Sequence, residues 1–520
     1  MIMDISETVR AIIGNDPDRN IMEWQDRWWK RASLRDFAEA LSTQLNRLDV
    51  RSEMAIAFAA RNRPSHCFAI LSLLAENRPI SMLYAYQAPE SLARDIDNTR
   101  FAVLILDQQD WSDTIAKKAE ETGTPVILLG ALPEDGFQTV EPGLRGDLSH
   151  VLRQPSCGIE ILSSGTTGLP KRIFHPAPRL FRSLRGNLPK PDDEPEVVFW
   201  PMGGIGGNLN MAIAMARGVP FILLERFTVE GLVNAIQRHG LTSISVTPTM
   251  LRMLYDAGVG PDDVPTLRSI GGGSGPLDPD LQDKVEERFG FPVIWAMGAT
   301  EFCGTIISWS AELHRQFRQT KRGAMGRVLP GCRVRIVDPE TGEELPCNEI
   351  GAMIIQADAI GPEWIRTTDL ARIDEDGFVF HQGRSDNAII RGGFKIVPEK
   401  ICEILRLHPE VAEAAVVGVD EARLGQVPVA VIEPHPGKHP SPAELERHLR
   451  SYLAAPNIPV RFLYVDRLPY TASTKVHVSE VRKLVAQLQK GHARRNREIF
   501  DQGSSNTTGG NSDLDDNLTS

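Results

Sequence analysis

The densest chemistry in this chain lies in nine consecutive residues: Ser163, Ser164, Gly165, Thr166, Thr167, Gly168, Leu169, Pro170 and Lys171. Glycine lets a backbone approach a polyanion closely, and its amides then face the phosphates. The hydroxyls add donors and the lysine adds a point charge. The apolar run from Ile159 to Leu162 reads as a strand end, so the stretch is a candidate phosphate-cradling loop at a sheet edge. It is not a Walker loop, which needs four residues between its glycines and a Gly-Lys pair. Here the glycines are three apart and Pro170 precedes the lysine. Taken alone, the stretch also reads as a Gly/Ser/Thr surface turn.

Four further segments follow in order. Met297-Gly298-Ala299-Thr300-Glu301 succeeds the apolar run Pro292–Ala296 and the glycine-rich turn Gly271–Gly275. Trp364-Ile365-Arg366-Thr367-Thr368-Asp369 is next, and Gly383-Arg384-Ser385-Asp386-Asn387 begins fourteen residues after Asp369. Near the C-terminus stands Leu468-Pro469-Tyr470-Thr471-Ala472-Ser473-Thr474-Lys475. In this order the five segments resemble the signatures of the adenylate-forming enzymes, the superfamily of acyl-CoA synthetases, adenylation domains of peptide synthetases and beetle luciferases. The resemblance covers residues 30 to 485.

The resemblance implies roles. The Ser163–Lys171 loop, the turn residues Gly273, Ser274 and Gly275, and Met297, Gly298 and Thr300 bind ATP or AMP. Glu301 holds magnesium, a hard cation that wants oxygen. Asp369 accepts hydrogen bonds from both ribose hydroxyls, one carboxylate oxygen for each, and Arg384 sits near the same nucleotide. Asp386 is the hinge of a small mobile domain. Gly392, Gly393 and Phe394 enter the site for the second half-reaction. Lys475 is the catalytic lysine, with Thr300 and Glu301 beside it, and its charge stabilises the transition state. The implied fold is α/β: a large N-terminal domain with two α/β sheets plus a small β-barrel, and a small mobile α+β C-terminal domain. The boundaries expected are 1–384, 385–490 and a disordered tail over 491–520.

The chain departs from the family pattern at four places. Met297 stands where the family has a tyrosine stacked on adenine. Base stacking is worth about 1–3 kcal/mol and a sulfur–ring contact about 0.3–1.5, so the expected loss is roughly tenfold in ATP affinity. Thr368 and Thr474 replace glycines, which matters if either backbone needs a positive φ. Pro201-Met202-Gly203-Gly204-Ile205-Gly206-Gly207 carries glycine where the family has a histidine near the acyl group. Two readings stay open there: a roomy acyl pocket, or a glycine-rich loop with no bearing on substrate. Trp200, Met202, Gly203, Asn208 and Met211 are the candidate pocket residues.

The elements that must position these residues alternate. Ser33 is a candidate cap for a helix with Leu34, Phe37, Leu41, Leu45 and Leu48 on one face. Apolar strand candidates follow at Phe101–Leu106, Val126–Leu129, Pro220–Leu224, Ser243–Val246 and Pro292–Ala296, a pattern of parallel α/β sheets. From residue 385, strands at Ala414–Val419, Val427–Ile432 and Arg461–Val465 and a helix over Ser441–Leu453 form a second unit.

Composition bounds the function. With 520 residues the chain holds more than one domain. A net charge of −11 argues against nucleic acid as the main partner. The six cysteines show no CxxC pair and read as free thiols of a reducing cytoplasm. No apolar run has membrane-spanning length. The expected activity is ATP- and Mg2+-dependent conversion of a small carboxylic acid to an acyl-adenylate, then to a coenzyme A thioester. The alternatives are a stand-alone enzyme that loads a carrier protein in trans, and a degenerate nucleotide-binding protein.

Overall fold

The structure, a computed structural model, describes residues 5–86, 89–97, 101–144, 151–154, 156–163, 171–182, 193–384, 387–391, 394–421, 424–453, 455–471 and 474–488. The expected tail over 491–520 lies outside them. The chain separates into two compact units. The first comprises residues up to Gln382 together with Thr474 and Lys475; the second runs from Gly383 to Thr471 and resumes at Val476. The architecture is mixed α/β.

Uniformly apolar strands build the first unit's seven-stranded sheet. Its order is Phe137–Val140, Val126–Leu129, Val103–Asp107, Ile56–Ala60, Pro79–Tyr84, Gly158–Ser163 and Lys171–Pro176. The five inner strands pair in parallel and the two outer ones antiparallel. Every residue of Ile56–Ala60 and Val103–Asp107 is buried, as parallel strands covered on both faces require. The helix Pro64–Ala75 is buried at all twelve positions. The helix Arg31–Arg47 buries Leu34, Phe37, Leu41 and Leu45 as its spacing predicts. Its N-cap is Lys30, not Ser33, and no side chain caps it. The reason is local: carbonyls of Arg19 and Pro17 already accept the amides of Arg31 and Ala32, so no cap oxygen is needed.

The second large sheet has nine strands. Ser243–Val246, Ser269–Gly272 and Val293–Ala299 run parallel. The sheet continues through the antiparallel strands Gly304–Ser308, Gly326–Val328, Phe378–Arg384, Ile365–Ile373, Gly351–Ala357 and Cys332–Val337. The strand over Pro292–Ala296 thus extends to Ala299, because Met297–Ala299 find partners in Gly304–Ile307. A four-stranded sheet joins Glu196–Val198, Phe221–Leu223, Asn20–Trp24 and Arg27–Lys30.

In the second unit Val411–Glu421 and Gly425–Pro434 pair antiparallel, and Arg461–Tyr464 adds in parallel. The helices Pro398–Arg406 and Pro442–Arg450 bury Ile401, Leu405, Leu445 and Leu449 in the same core. The second helix stops at Arg450 rather than Leu453. A capping box opens it: Glu444 N donates to Ser441 Oγ at 3.3 Å, and Ser441 N donates to Glu444 Oε2 at 2.8 Å. Among the described residues no helix is long and apolar enough to cross a membrane. Ser441→Ala removes one half of the box, a loss of about 1 kcal/mol. Amide hydrogen exchange over residues 442–450 should accelerate by about fivefold, with exchange in the first unit unchanged.

Candidate functional site

Three parallel strands deliver their C-terminal ends to one edge, the position where open α/β sheets hold ligands. Ser243–Val246 leads to Thr247, Ser269–Gly272 to the Gly273–Gly275 turn, and Val293–Ala299 carries Met297 and Gly298 before the short turn Thr300–Phe302. The glycines answer to crowding. A Cβ on Gly272 would enter the Trp295 ring and the Val246 carbonyl, and one on Gly273 would lie 2.7 Å from the Ala296 carbonyl oxygen. Ser274 holds a left-handed backbone, φ 72°, and Trp295 Nε1 donates to Gly275 O at 2.8 Å, clamping the turn. Gly298 faces the Gly304 carbonyl at a register shift between Met297 and Gly298. Met297 packs against the cluster of Phe302, Ile306 and Ile307. Glu301 is half-buried.

Asp369 stands in the strand Ile365–Ile373 of the same sheet. Its amide donates to Thr367 Oγ1 at 3.1 Å, Thr367 Oγ1 donates to Met353 O at 2.9 Å, and His381 Nε2 lies 3.5 Å from Asp369 Oδ1. Thr368 has an ordinary negative φ, so this position places no demand for glycine. Arg384 closes the strand Phe378–Arg384.

The strands Gly158–Ser163 and Lys171–Pro176 form a hairpin in which Ser163 pairs with Lys171. Ser164, Gly165, Thr166, Thr167 and Gly168 lie outside the described residues, as do Asp386, Gly392 and Gly393; Phe394 opens a strand of the second unit. On the hairpin's second strand stands His175, fully buried, with neither ring nitrogen in a hydrogen bond of good geometry. Burial, seconded by the Arg179 charge, pushes its pKa down to about 4, and the nearby Thr300 backbone only partly opposes this. The imidazole is therefore neutral at physiological pH.

Thr474 holds the remaining approach. Its φ is +60°, a left-handed conformation costing a β-branched residue about 1–2 kcal/mol. Two contacts offset the strain: its hydroxyl lies 2.8 Å from Thr247 Oγ1, and its carbonyl accepts from Thr249 Oγ1 at 2.6 Å. Thr247 also caps the helix Pro248–Asp256. A Cβ on Gly275 would touch Pro248. The segment bearing Lys475 is thus fastened beside the glycine turn.

The loop over 200–207 is pinned from below. Buried Asn62 donates through Nδ2 to the carbonyls of Trp200 at 3.0 Å and Leu224 at 3.3 Å, and its Oδ1 accepts from Met202 N at 3.0 Å. Asn208 Nδ2 donates to the carbonyls of Met202 at 2.7 Å and Gly204 at 2.9 Å. Met202 and Met211 are fully buried in the main core. A Cβ on Gly203 would lie 3.1 Å from Leu83 O, one on Gly206 3.4 Å from the Trp200 ring, and one on Gly207 2.7 Å from Pro201 O. The volume that side chains would take is already filled by neighbouring backbone and by Trp200.

Thr247, Thr249, Asn62 and His175 escape sequence reasoning. Thr247-Pro248 carries a helix-start signal and Asn62 sits between two arginines before Pro64, but neither pattern says which distant segment is held.

The family model described as AMP-binding enzyme matches residues 9–362, and that described as AMP-binding enzyme C-terminal domain matches residues 400–475. A 2-succinylbenzoate–CoA ligase of Bacillus pumilus is 29% identical over 478 residues, covering 88% of this chain and 94% of its own. A fatty acid–[acyl-carrier-protein] ligase of Streptomyces coeruleorubidus is 30% identical over 349 residues, 62% of this chain and 66% of its own. The structure of o-succinylbenzoate CoA synthetase from Bacillus subtilis, in complex with its acyl-adenylate intermediate, superposes with a TM-score of 0.74 at 25% identity, covering 91% of this chain and 97% of that one.

Two outcomes are expected. Between pH 6.5 and about 4 the unfolded chain binds a proton at position 175 that the folded chain refuses. His175 therefore costs no stability above pH 6.5 and destabilises increasingly as pH falls toward 4. His175→Leu should flatten the fall in unfolding midpoint over that window; an unchanged slope refutes the assignment. At Thr474, Ala keeps the strain and loses the hydroxyl, whereas Gly loses both. In ATP–pyrophosphate exchange, Thr474→Ala should be slower by roughly fivefold, about one hydrogen bond, and Thr474→Gly should stay nearer wild type.

Proposed function

Because the chain belongs to the AMP-binding enzyme family, we infer that it activates a small carboxylic acid with ATP and passes the acyl group to coenzyme A. A carboxylate is a poor acyl donor because its leaving group is oxide. In the first half-reaction a carboxylate oxygen attacks the α-phosphorus, and the bond to pyrophosphate breaks. In the second, the coenzyme A thiol attacks the acyl carbonyl and the bond to AMP breaks. Positioning and charge neutralisation carry steps of this kind.

The observation that supports this reading best is the common edge of Gly273–Gly275, Met297–Glu301 and the fastened Thr474–Lys475 segment. There the turn amides and Thr300 would receive the α-phosphate, and the ammonium of Lys475 would bridge carboxylate and phosphate as charge shifts. Asp369 would take the ribose hydroxyls, with His381 and Thr367 fixing its strand position, and Arg384 would lie near the same nucleotide. The Ser163–Lys171 loop would hold the β- and γ-phosphates. Glu301 would hold magnesium: one half-buried carboxylate suits an ion that keeps waters and takes its other ligands from phosphates. Bound there, magnesium neutralises phosphate charge. Asp386 would be the hinge, and Gly392, Gly393 and Phe394 would serve the thiol step. Trp200, Met202, Gly203, Asn208 and Met211 would bound the acyl end; the filled space around the glycines supports a pocket shaped by a braced loop over one enlarged by missing side chains. The free cysteines suit a reducing cytoplasm. Carrier-protein loading is the second reading, favoured by the Streptomyces relative's name.

The test is pyrophosphate release over a panel of fatty, aryl and branched acids, with and without coenzyme A. Turnover that rises with coenzyme A, yielding a thioester, is expected; release limited to one equivalent and indifferent to coenzyme A would select the carrier reading. Lys475→Ala should lower adenylation by about 10²–10³-fold, while thioester formation from a supplied acyl-adenylate persists. Unchanged adenylation would refute the mechanism.

A further inference from the structure

One short turn is shared between two cores of the first unit. It consists of Thr300–Phe302, closed by Cys303. Phe302 packs with Ile306 and Ile307 in one core, whereas Cys303, fully buried, belongs to the other together with Ile159 and Ile161 of the strand Gly158–Ser163. Cys303 makes this change of side with a left-handed backbone, φ 56°, and its amide donates to Thr300 O at 3.1 Å. Thr300 and Glu301, the residues proposed to meet the α-phosphate and magnesium, are thus placed by a turn that answers to both cores.

His175 stands on the hairpin face that receives this turn. It pairs directly with Ile159, and directly paired residues of antiparallel strands project to the same face. Its backbone is set by close neighbours. A Cβ on Gly158 would enter the His175 carbonyl. Arg179 donates through Nη1 to Phe174 O at 3.4 Å and through Nε to Ala359 O at 3.1 Å. The imidazole has no exposed surface, and neither nitrogen has a hydrogen bond of good geometry. An apolar side chain of similar volume would cost less there, so packing alone does not account for a histidine. The backbone of Thr300 lies beside the ring and draws it toward protonation. A carbonyl acceptor does that and an amide donor does the reverse, so the ring addresses the Thr300 carbonyl. Contacts of this kind are often loose without substrate and tighten in the reacting complex.

We propose that His175 is a positioning residue for adenylation: its ring N–H takes hold of the Thr300 carbonyl and so sets the Thr300–Phe302 turn, with Glu301, against the phosphate-loop hairpin. Being buried, it touches neither ATP nor the acid. The assignment rests on the adenylating reading of the site.

The test compares the full-length wild type with His175→Leu and His175→Gln at neutral pH. Three quantities are read: the unfolding midpoint, amide hydrogen exchange over residues 300–303, and ATP–pyrophosphate exchange with an acid that wild type accepts. His175→Leu should unfold at a midpoint no lower than wild type. Its Cys303 amide should nonetheless exchange several times faster, and its pyrophosphate exchange should fall by about tenfold in kcat, roughly one hydrogen bond, with little change in KM for MgATP. His175→Gln, which keeps an N–H donor, should recover most of the rate. A Leu variant that matches wild type in both exchange rates, that loses activity only in step with a lowered midpoint, or that fails to fold would make the imidazole a packing residue and overturn the proposal. A Gln variant no better than Leu would overturn it too. If wild type exchanges no pyrophosphate with any acid, the adenylating reading fails, and the Cys303 amide alone decides whether His175 holds the turn.

Discussion

The sheet edge that carries the Gly273–Gly275 turn depends on how closely three strand ends can meet. Gly272 faces the Trp295 ring and the Val246 carbonyl, Gly273 faces the Ala296 carbonyl and Gly298 faces the Gly304 carbonyl, all at separations that exclude a Cβ. Backbone–backbone proximity of this kind brings amides, not side chains, to a ligand, and amides are the donors that a phosphate needs. The bond from Trp295 Nε1 to Gly275 O fixes the turn. Beside it, Met297 is placed by its strand pairing and apolar cluster, and Thr474 by Thr247 and Thr249.

Much of this was legible in the sequence, for physical reasons that differ by element. Val126–Leu129 and Ser243–Val246 match their predicted strands residue for residue because short apolar runs between turn residues leave little choice. The helix Pro64–Ala75 shows no periodicity to read, since it has no solvent face. The hairpin joining Asn20–Trp24 to Arg27–Lys30 turns at Gln25 and Asp26 with φ of 49° and 65°. That is a left-handed pair normally flagged by Asn-Gly, so no turn signal announced it. Ser33 looked like a cap because cap chemistry is local, whereas the carbonyls that replace it come from residues 17 and 19.

The departures from family pattern divide by backbone geometry, which composition cannot reveal. Thr368 sits in a regular strand and costs nothing. Thr474 occupies a conformation that a glycine would take freely, and is bonded there by two threonines of another segment. The glycines after Pro201 are places where backbones and an indole ring meet, which a sequence cannot distinguish from deliberate emptiness. Asn62, fully buried beneath them, reaches carbonyls 138 and 162 residues away; such a staple has no sequence spacing.

The fastening at Thr474 has an energetic character of its own. Strain of about 1–2 kcal/mol is opposed by hydrogen bonds worth about 1 kcal/mol each, among them those to Thr247 and Thr249. Strain and restraint thus meet at one residue: a backbone conformation that glycine would take without cost is held by hydroxyls from residues 247 and 249.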